Sequence, residues 1–565
     1  MSLSGASIGD DWGGMLGDRL QSAMGNLELK RFYWNIVKEA AMSTPVPLPT
    51  PRLSLRDAVG FLAKQGLLRE TIHGDDWSLD LAALPDMDFD AISYDTRTVT
   101  ASTLLFCKGA FKGEYLRAAN ACGLSCYVAE TPYDEAASAW GVIVTDVRKA
   151  MALLSARFYG NPERKMFVVG ITGTKGKTTT AYYTHSILNR WTKGHAAILS
   201  SEADCLDGEH WIPSDLTTPE SLDLFRLMRE ALDNGMTHLV MEISSQAYKV
   251  NRVYGVTYDI GAFLNISPDH ISPIEHPTFE DYFYCKRRLV ANSKQAVINA
   301  ALGWKTALVE QAAQLAGTPY TTFSMDSSVA ADVIGSLGIS GSAHFRSSSQ
   351  DADLGGYSLA MDGDFNYDNA LAAVAIALAA GVTPDDQDAL HAFESVAIPG
   401  RMQRFDMPDG VIAYVDYAHN YISLKSLLEY VRGQEPNSRI TVVTGTAGGK
   451  AIDRRAGLAK AASENADCFI LTQEDSDFED VHAINDEMQS HVTNPALDVR
   501  QIYGHGREDA IREAFRLASK DQRDNGRVNV VLVIGKGDEA WVKIKGKHVP
   551  VRSDIDIVSG LAADE

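Results

Sequence analysis

A chain of 565 residues exceeds what one hydrophobic core fills, so about two to four domains are expected. With 45% hydrophobic and 22% charged residues it reads as globular, and a formal charge of -22 excludes a broad nucleic-acid-binding face, which needs a basic footprint. The longest apolar run, Ala370 to Val382, falls short of the about 20 residues that span a bilayer. The start lacks a basic segment followed by an apolar one, and six cysteines scattered without zinc-like pairs read as reduced thiols. A cytoplasmic protein without stable membrane insertion is the expectation, with a monomer as the default.

Residues 1 to about 50 lack steady periodicity and end in "STPVPLPTPR", whose prolines favour extended backbone, so they read as an N-terminal extension. From 51 to about 165, strand candidates "SCYVAE" and "GVIVTD" alternate with helical patterns such as "EYLRAANACG", predicting a small α/β domain. From about 166 to 398, "KMFVVGIT", "THLVMEIS", "YDIGAFLNIS" and "QAVINA" alternate with helices and predict a doubly wound sheet. Within that span "SGSAHFRSSSQ" reads as a surface loop. A third α/β series, Rossmann-like and running from about 399 to 565, follows in "VIAYVDYA", "RITVVTGT", "CFILTQ" and "VNVVLVIGKG".

The stretch "GITGTKGKTTT", Gly170 to Thr180, passes from an apolar strand through a glycine turn into a helix, the context of a phosphate loop. Gly173 and Gly176 permit close backbone approach to phosphate, Lys177 supplies a cation, and Thr178 a hydroxyl for Mg²⁺; Thr174, Lys175 and Thr179 complete the loop. It departs from the strict spacing, since Ile171 holds the position of the first glycine and Gly170 lies one earlier. Magnesium needs further hard oxygen ligands, and Glu242, ending the strand "THLVME", is where a doubly wound fold delivers one; a solvated strand-end acid is the plainer reading. His270 in "NISPDHIS" is, taken alone, as well read as a hydrogen-bonding loop histidine.

"GTKGKTTT", "TTPE", "MEISSQA", "NISPDH", "YFYCKRRL", "FNYDNALAA", "PGRMQ", "DYAHN" and "GKGDE" resemble, in order and spacing, the Mur ligases, and among them most closely the UDP-N-acetylmuramoyl-tripeptide synthetases. The resemblance runs from about Ile92 to near the C-terminus. It implies three domains, for the UDP-sugar, for ATP and for the incoming amino acid. It also implies a reaction in which the γ-phosphate of ATP goes to a carboxylate, and an amine attacks the acyl phosphate to form an amide. By resemblance Thr178, Glu242 and His270 serve the Mg²⁺ sites, and Lys286 matches a lysine carbamylated by CO₂, although a helix-surface lysine is the bland alternative. Asn366 and Asn369 match contacts to adenine, though they could cap a helix; Arg401 and Asp416 match contacts to phosphate and ribose. For UDP-N-acetylmuramoyl-dipeptide the resemblance carries over Thr96, Thr217, Thr218, Ser244 and Arg252. Thr217 and Thr218 could instead cap a helix beginning near Pro219, and Arg252 could be a surface ion-pair member.

Departures from the family pattern bear on specificity. Ser-Ser-His reads Ser244-Ser245-Gln246, Val250 replaces a glutamine, and Lys450 stands where an arginine would pair with a carboxylate. Where enzymes adding meso-diaminopimelate carry Asp-Asn-Pro-Arg, this chain has Glu474, Asp475, Ser476 and Asp477; with Gly535 and Glu539 of "GKGDE" they form a candidate acidic pocket, unless these acids are simply solvated. Such a pocket would favour a diamino acid ending in an ammonium, L-lysine or L-ornithine, over one ending in a carboxylate. Two alternatives remain on the sequence alone: another amide ligase of folylpolyglutamate or cyanophycin type, and a nucleotide-binding scaffold without ligase activity.

Overall fold

The structure, a computed structural model, describes residues 50–563 apart from 273–274, 339–340, 450–451 and 505. Three α/β domains follow in chain order, each on its own sheet. The first sheet has six strands; four of them, Ala91–Ser93, Thr103–Phe106, Cys126–Ala129 and Trp140–Val144, run parallel. Thr103–Phe106 and Cys126–Ala129 are buried along their whole length, as expected of strands covered on both faces.

The central sheet has eleven strands among the described residues. Phe167–Thr172 lies at its middle, flanked in parallel by His238–Glu242 and Tyr258–Phe263. In this register Glu242 pairs with Ile171, so the carboxylate leaves its strand beside the start of the glycine loop. The helices Lys177–Trp191 and Phe365–Ala379 pack on one face through Ala181, Ile187, Ala370, Leu371, Val374 and Ile376, all fully buried. Burying side chains of this size contributes about 1.5 to 3 kcal/mol for each of the larger ones. This explains the alanine-rich run: it is a core helix whose small side chains let it approach its neighbour.

"SGSAHFRSSSQ" is a correction. Ala343–Ser347 forms a strand paired antiparallel with Val333–Leu337 and Ala352–Tyr357. Ala343, Phe345 and Ser347 point inward while His344 and Arg346 face water, a period-two pattern that the flanking serines hid.

The third sheet runs in the order Gln403–Asp406, Ile412–Asp416, Asn529–Ile534, Arg439–Thr444, Cys468–Leu471, Asp498–Gln501, all parallel except the first pair. Segments 416–420, 445–449, 472–477 and 535–539 therefore leave the same, C-terminal edge, where an open parallel sheet places its ligands. The cysteines are free, five of them buried, and among the described residues no helix is long and apolar enough to cross a membrane.

Candidate active site

The glycine loop is held by a second loop rather than by itself. Asn265 accepts from the Lys175 backbone N–H through Oδ1 (2.9 Å) and donates to the Lys175 carbonyl through Nδ2 (2.9 Å). The Thr174 hydroxyl donates to the Ser267 carbonyl (3.2 Å) and accepts from the Ser267 N–H (3.0 Å) and from the Tyr282 hydroxyl (3.1 Å). Gly176 has φ of 80°, and a Cβ there would collide with Oδ1 of Asn369. Gly170, which upset the strict spacing, lies within the strand, where a Cβ would come within 2.8 Å of the Tyr258 ring. It is a packing glycine, not part of the cradle.

Two lysines, Lys177 half-buried and Lys286 buried, converge on one carbonyl. Lys177 Nζ donates to the Gly173 carbonyl at 3.1 Å and Lys286 Nζ donates to it at 2.7 Å. Lys286 is only 2% exposed, beneath the Tyr282 ring at 4.9 Å. Burial and then the neighbouring Lys177 push its amine well below the ordinary lysine range. The helix-surface alternative is thereby corrected: Lys286 faces the phosphate loop from the far helix, Phe279–Ala291. Burial also lowers Lys177, and it brings Lys175 down to about 7. Lys175 turns from the cradle toward the third domain, with Nζ 3.0 Å from His419 Nε2 and 3.6 Å from Asp269.

Glu242 is wholly buried, its Oε1 accepting from the Ser201 N–H (2.8 Å) and Oε2 from the Ser201 hydroxyl (3.1 Å); it is not a solvated acid. Thr178 and Thr179 are buried at the start of the helix that follows the loop. His270 has φ of 58°, and its Nδ1 lies 3.1 Å from Glu275 Oε1. As donors, Thr178 and Glu242 offer the hard oxygens that Mg²⁺ prefers, and His270 a nitrogen. The Lys286 ammonium does not fit a cation site, whereas its carbamate would.

Asn366 and Asn369 lie inside the helix Phe365–Ala379, whose cap is Asp364, so neither caps it. Their amides form a chain, Asn369 Nδ2 to Asn366 Oδ1 (3.2 Å) and Asn366 Nδ2 to the Asp362 carbonyl (2.6 Å). Arg401 stacks over the Tyr417 ring at 4.5 Å, lies 3.7 Å from Glu202, and keeps a buried Nε without a partner. Asp416 accepts from the N–H groups of Met402 (2.8 Å) and Ala418 (2.7 Å).

At the same edge of the central sheet, where the strand His238–Glu242 ends beside the glycine loop, Thr218 does not cap a helix. Its hydroxyl donates to the Glu242 carbonyl (2.8 Å) and accepts from the Ser244 N–H (3.0 Å), and the next helix, Ser221–Asp233, starts from Glu220. The Thr217 and Ser201 hydroxyls lie 3.0 Å apart, and Ser244 caps the short helix Ser245–Lys249. Arg252 pairs with Glu220 at 3.0 Å, as do Lys108 at 2.8 Å and Arg148 at 3.6 Å from the first domain. Three cations thus share one carboxylate. Thr96 stands apart, on a short turn capped by Asp95.

The acidic segment is largely neutralised from within. Asp475 accepts from Lys536 (3.0 Å) and from the Lys543 N–H (2.9 Å), and Glu539 pairs with the same Lys536, which lies 4.0 Å over the Trp541 ring. Asp477 accepts from the Gly546 N–H (2.6 Å) and pairs with Lys543 (3.1 Å), so it secures the hairpin of Trp541–Ile544 and Lys547–Pro550. Ser476 is buried, and its N–H donates to the Glu474 carbonyl. Glu474 differs from its neighbours: its Oε2 is buried without a partner, and burial pushes its carboxyl up to about 7. Gly535, with φ of 110°, would place a Cβ 2.8 Å from that oxygen. Nearby Arg507 is held by Asp554 at 2.7 and 2.8 Å but leaves Nη1 buried and unpartnered. Lys450 lies outside the described residues.

Asn265, Asp269, His419, Asn420 and Lys536 lie inside the motifs "NISPDH", "DYAHN" and "GKGDE", whereas Ser201, Arg454 and Arg507 carry no sequence signal.

A glycine loop between a parallel strand and a helix, with lysines converging on its backbone and a buried carboxylate one strand away, defines a mononucleotide-binding α/β protein. Residues 171–377 match the Mur ligase middle domain, and residues 400–537 match the Mur ligase glutamate ligase domain. A UDP-N-acetylmuramyl-tripeptide synthetase of Bifidobacterium longum is 51% identical over 516 residues, covering 90% of this chain and 98% of the relative. A UDP-N-acetylmuramoyl-L-alanyl-D-glutamate–L-lysine ligase of Enterococcus faecalis is 42% identical over 498 residues, 87% of this chain and 96% of the relative. Among solved structures, a UDP-N-acetylmuramoyl-L-alanyl-D-glutamate–2,6-diaminopimelate ligase shares the fold with a TM-score of 0.55 at 23% identity, covering 84% of this chain and 95% of that one. The chain belongs to the Mur ligase family.

Proposed function

We propose that the protein is an ATP-dependent ligase that joins a diamino acid to UDP-N-acetylmuramoyl-L-alanyl-D-glutamate in peptidoglycan precursor synthesis, acting in the cytoplasm. L-lysine is the first choice of diamino acid and L-ornithine the second. The observation that carries the reading is the convergence of Lys177 and Lys286 on the Gly173 carbonyl, with Glu242 one strand away. The relative named for L-lysine supports the choice of amino acid.

Lys177 and the loop amides bind the polyphosphate of ATP; Asn366 and Asn369 receive the base, and Arg401 and Asp416 the phosphate and ribose. Thr178, Glu242, His270 and a carbamylated Lys286 would hold Mg²⁺, which when bound screens charge where anionic phosphate meets anionic carboxylate. Carbamylation requires a neutral amine to attack CO₂, and burial beside Lys177 favours that form of Lys286. Once formed, the carbamate is an anion beside Lys177, a paired arrangement in place of two crowded amines.

Arg252, Lys108 and Arg148 around Glu220 leave an excess of positive charge suited to the diphosphate of the UDP-sugar, with Thr217, Thr218, Ser244 and Thr96 as polar contacts. Glu474 receives the side-chain ammonium, its free oxygen being the acceptor that Asp475, Asp477 and Glu539 no longer offer. The domain limits at about residues 165 and 398 are part of this reading. Incubation with ATP, the UDP-muramoyl-dipeptide and lysine, ornithine or diaminopimelate separately tests it. Phosphate release dependent on the dipeptide and greatest with lysine is expected; release with folate, or with no acceptor at all, contradicts it.

A further inference from the structure

One buried carboxylate joins the phosphate loop to the third domain. Asp269, 2% exposed, accepts from Arg454 Nη2 at 3.1 Å and from the Asn420 side-chain amide at 3.0 Å, and faces Lys175 Nζ at 3.6 Å. It also accepts from the His270 N–H at 3.0 Å, fixing the backbone of that loop. Asn420 and Arg454 are 151 and 185 residues away in sequence. Both are rigidly placed: Asn420 caps the helix Tyr421–Gln434 through a reciprocal bond with Ser423, and Arg454 sits in the first turn of Asp453–Asn465. His419 adds a second link. Its Nδ1 lies 2.6 Å from the Tyr417 carbonyl and must carry the proton there, leaving Nε2 to accept from Lys175.

We propose that Asp269 is a positioning residue that couples docking of the third domain to the phosphate loop, so that the cleft is closed to water while the acyl phosphate exists. The inference rests on the ligase reading. Separation of the domains would strand Asp269 without two of its donors and Lys175 without His419, so the docked arrangement is strongly preferred. Each partner enters from a fixed helix start or from a loop zipped to Asn265, so the geometry at the phosphate loop and the docked state of the domain move together. If the coupling is weakened, water reaches the acyl phosphate. Its attack on the carbonyl carbon breaks the bond to the phosphate oxygen, returning the free acid and inorganic phosphate, so ATP is consumed without an amide.

The test measures phosphate and tripeptide together on the full-length protein, for wild type, Asp269→Asn, Arg454→Gln, the double variant and Arg454→Lys. Wild type should release one phosphate per tripeptide. Each single loss variant should raise that ratio about threefold or more and raise the KM for ATP about tenfold, within the usual range of coupling between sites. The double variant should be no worse than the worse single one, because both break the same contact. Arg454→Lys, which keeps the charge, should return the ratio toward one. A ratio that stays at one in both single variants, or effects that add in the double, overturns the coupling. If Asp269→Asn does not fold, Arg454→Gln alone decides through the same ratio, since the Arg454 side chain is already 17% exposed. A wild type that makes no tripeptide overturns the ligase reading, and this inference with it.

Discussion

The phosphate loop and the acidic segment lie at equivalent edges of two parallel sheets, yet they use their charges in opposite ways. At the loop, cations gather with few anions: Lys177 and Lys286 share a carbonyl, and Glu242 is satisfied by Ser201. At the acidic segment, Asp475, Asp477 and Glu539 are already matched by Lys536 and Lys543, and Glu474 alone keeps an open oxygen. A site for a polyanion can be built from backbone and excess cations, because the ligand itself supplies the countercharge. On the proposed reading Glu474 is the unpaired acid that meets one ammonium, while Asp475 and Asp477 hold the segment in place.

The largest effect expected from this contrast is at Lys286. Lys286→Ala should lower kcat by about 10² to 10³-fold, the scale of losing one group that stabilises developing charge. ATP should still bind in a direct binding assay, and formate or acetate should restore part of the turnover by standing in for the carbamate. Full activity in the variant would remove Lys286 from the chemistry. At the acidic end, Glu474→Gln should raise the KM for lysine about tenfold or more, from the loss of a charged hydrogen bond of about 1.5 to 3 kcal/mol. The KM for ATP should not move; equal changes in both would mean that the variant disturbs the fold rather than the pocket.

The same carboxyl gives a pH dependence. Burial raises Glu474 to about 7, and an ammonium binds its ionised form, so below that pH a proton must leave before lysine binds. The KM for lysine should therefore fall as pH rises from about 6 to 8, by up to tenfold per unit on the acid side. In Glu474→Gln this slope should vanish, and a slope of opposite sign in wild type would refute the assignment. The smallest effect belongs to Asp477→Asn: activity within about twofold of wild type, with stability lowered by about 1 kcal/mol through the weakened hairpin contacts, read as a shift in chemical denaturation. A large rise in the KM for lysine there would return Asp477 to the pocket.

The contrast also explains what was legible in the sequence. The strand, glycine turn and helix of the phosphate loop are contiguous, so their geometry follows from local residue types. Glu242 is placed by one parallel pairing whose apolar strands are unmistakable. The acidic segment was legible as a candidate acidic pocket, but not its neutralisation from within, because its partners lie about 60 to 70 residues later, Lys536 reaching Asp475 and Gly546 reaching Asp477. Helix capping stayed open as an alternative for Thr218 for the same reason: its acceptor and donor, Glu242 and Ser244, are distant in sequence, and periodicity says nothing of them. Lys286 was read from resemblance alone, since a helix pattern of "YFYCKRRL" does not reveal which face meets the loop.

The most direct measurement is ADP formed per amide formed when purified protein, ATP, UDP-N-acetylmuramoyl-L-alanyl-D-glutamate and L-lysine are combined, with each reactant omitted in turn. One ADP per tripeptide, and no product when any reactant is missing, is the expected result. ADP that appears at the same rate without the muramoyl-dipeptide, or no ADP with all three present, would contradict a mechanism in which these lysines direct phosphate to a carboxylate.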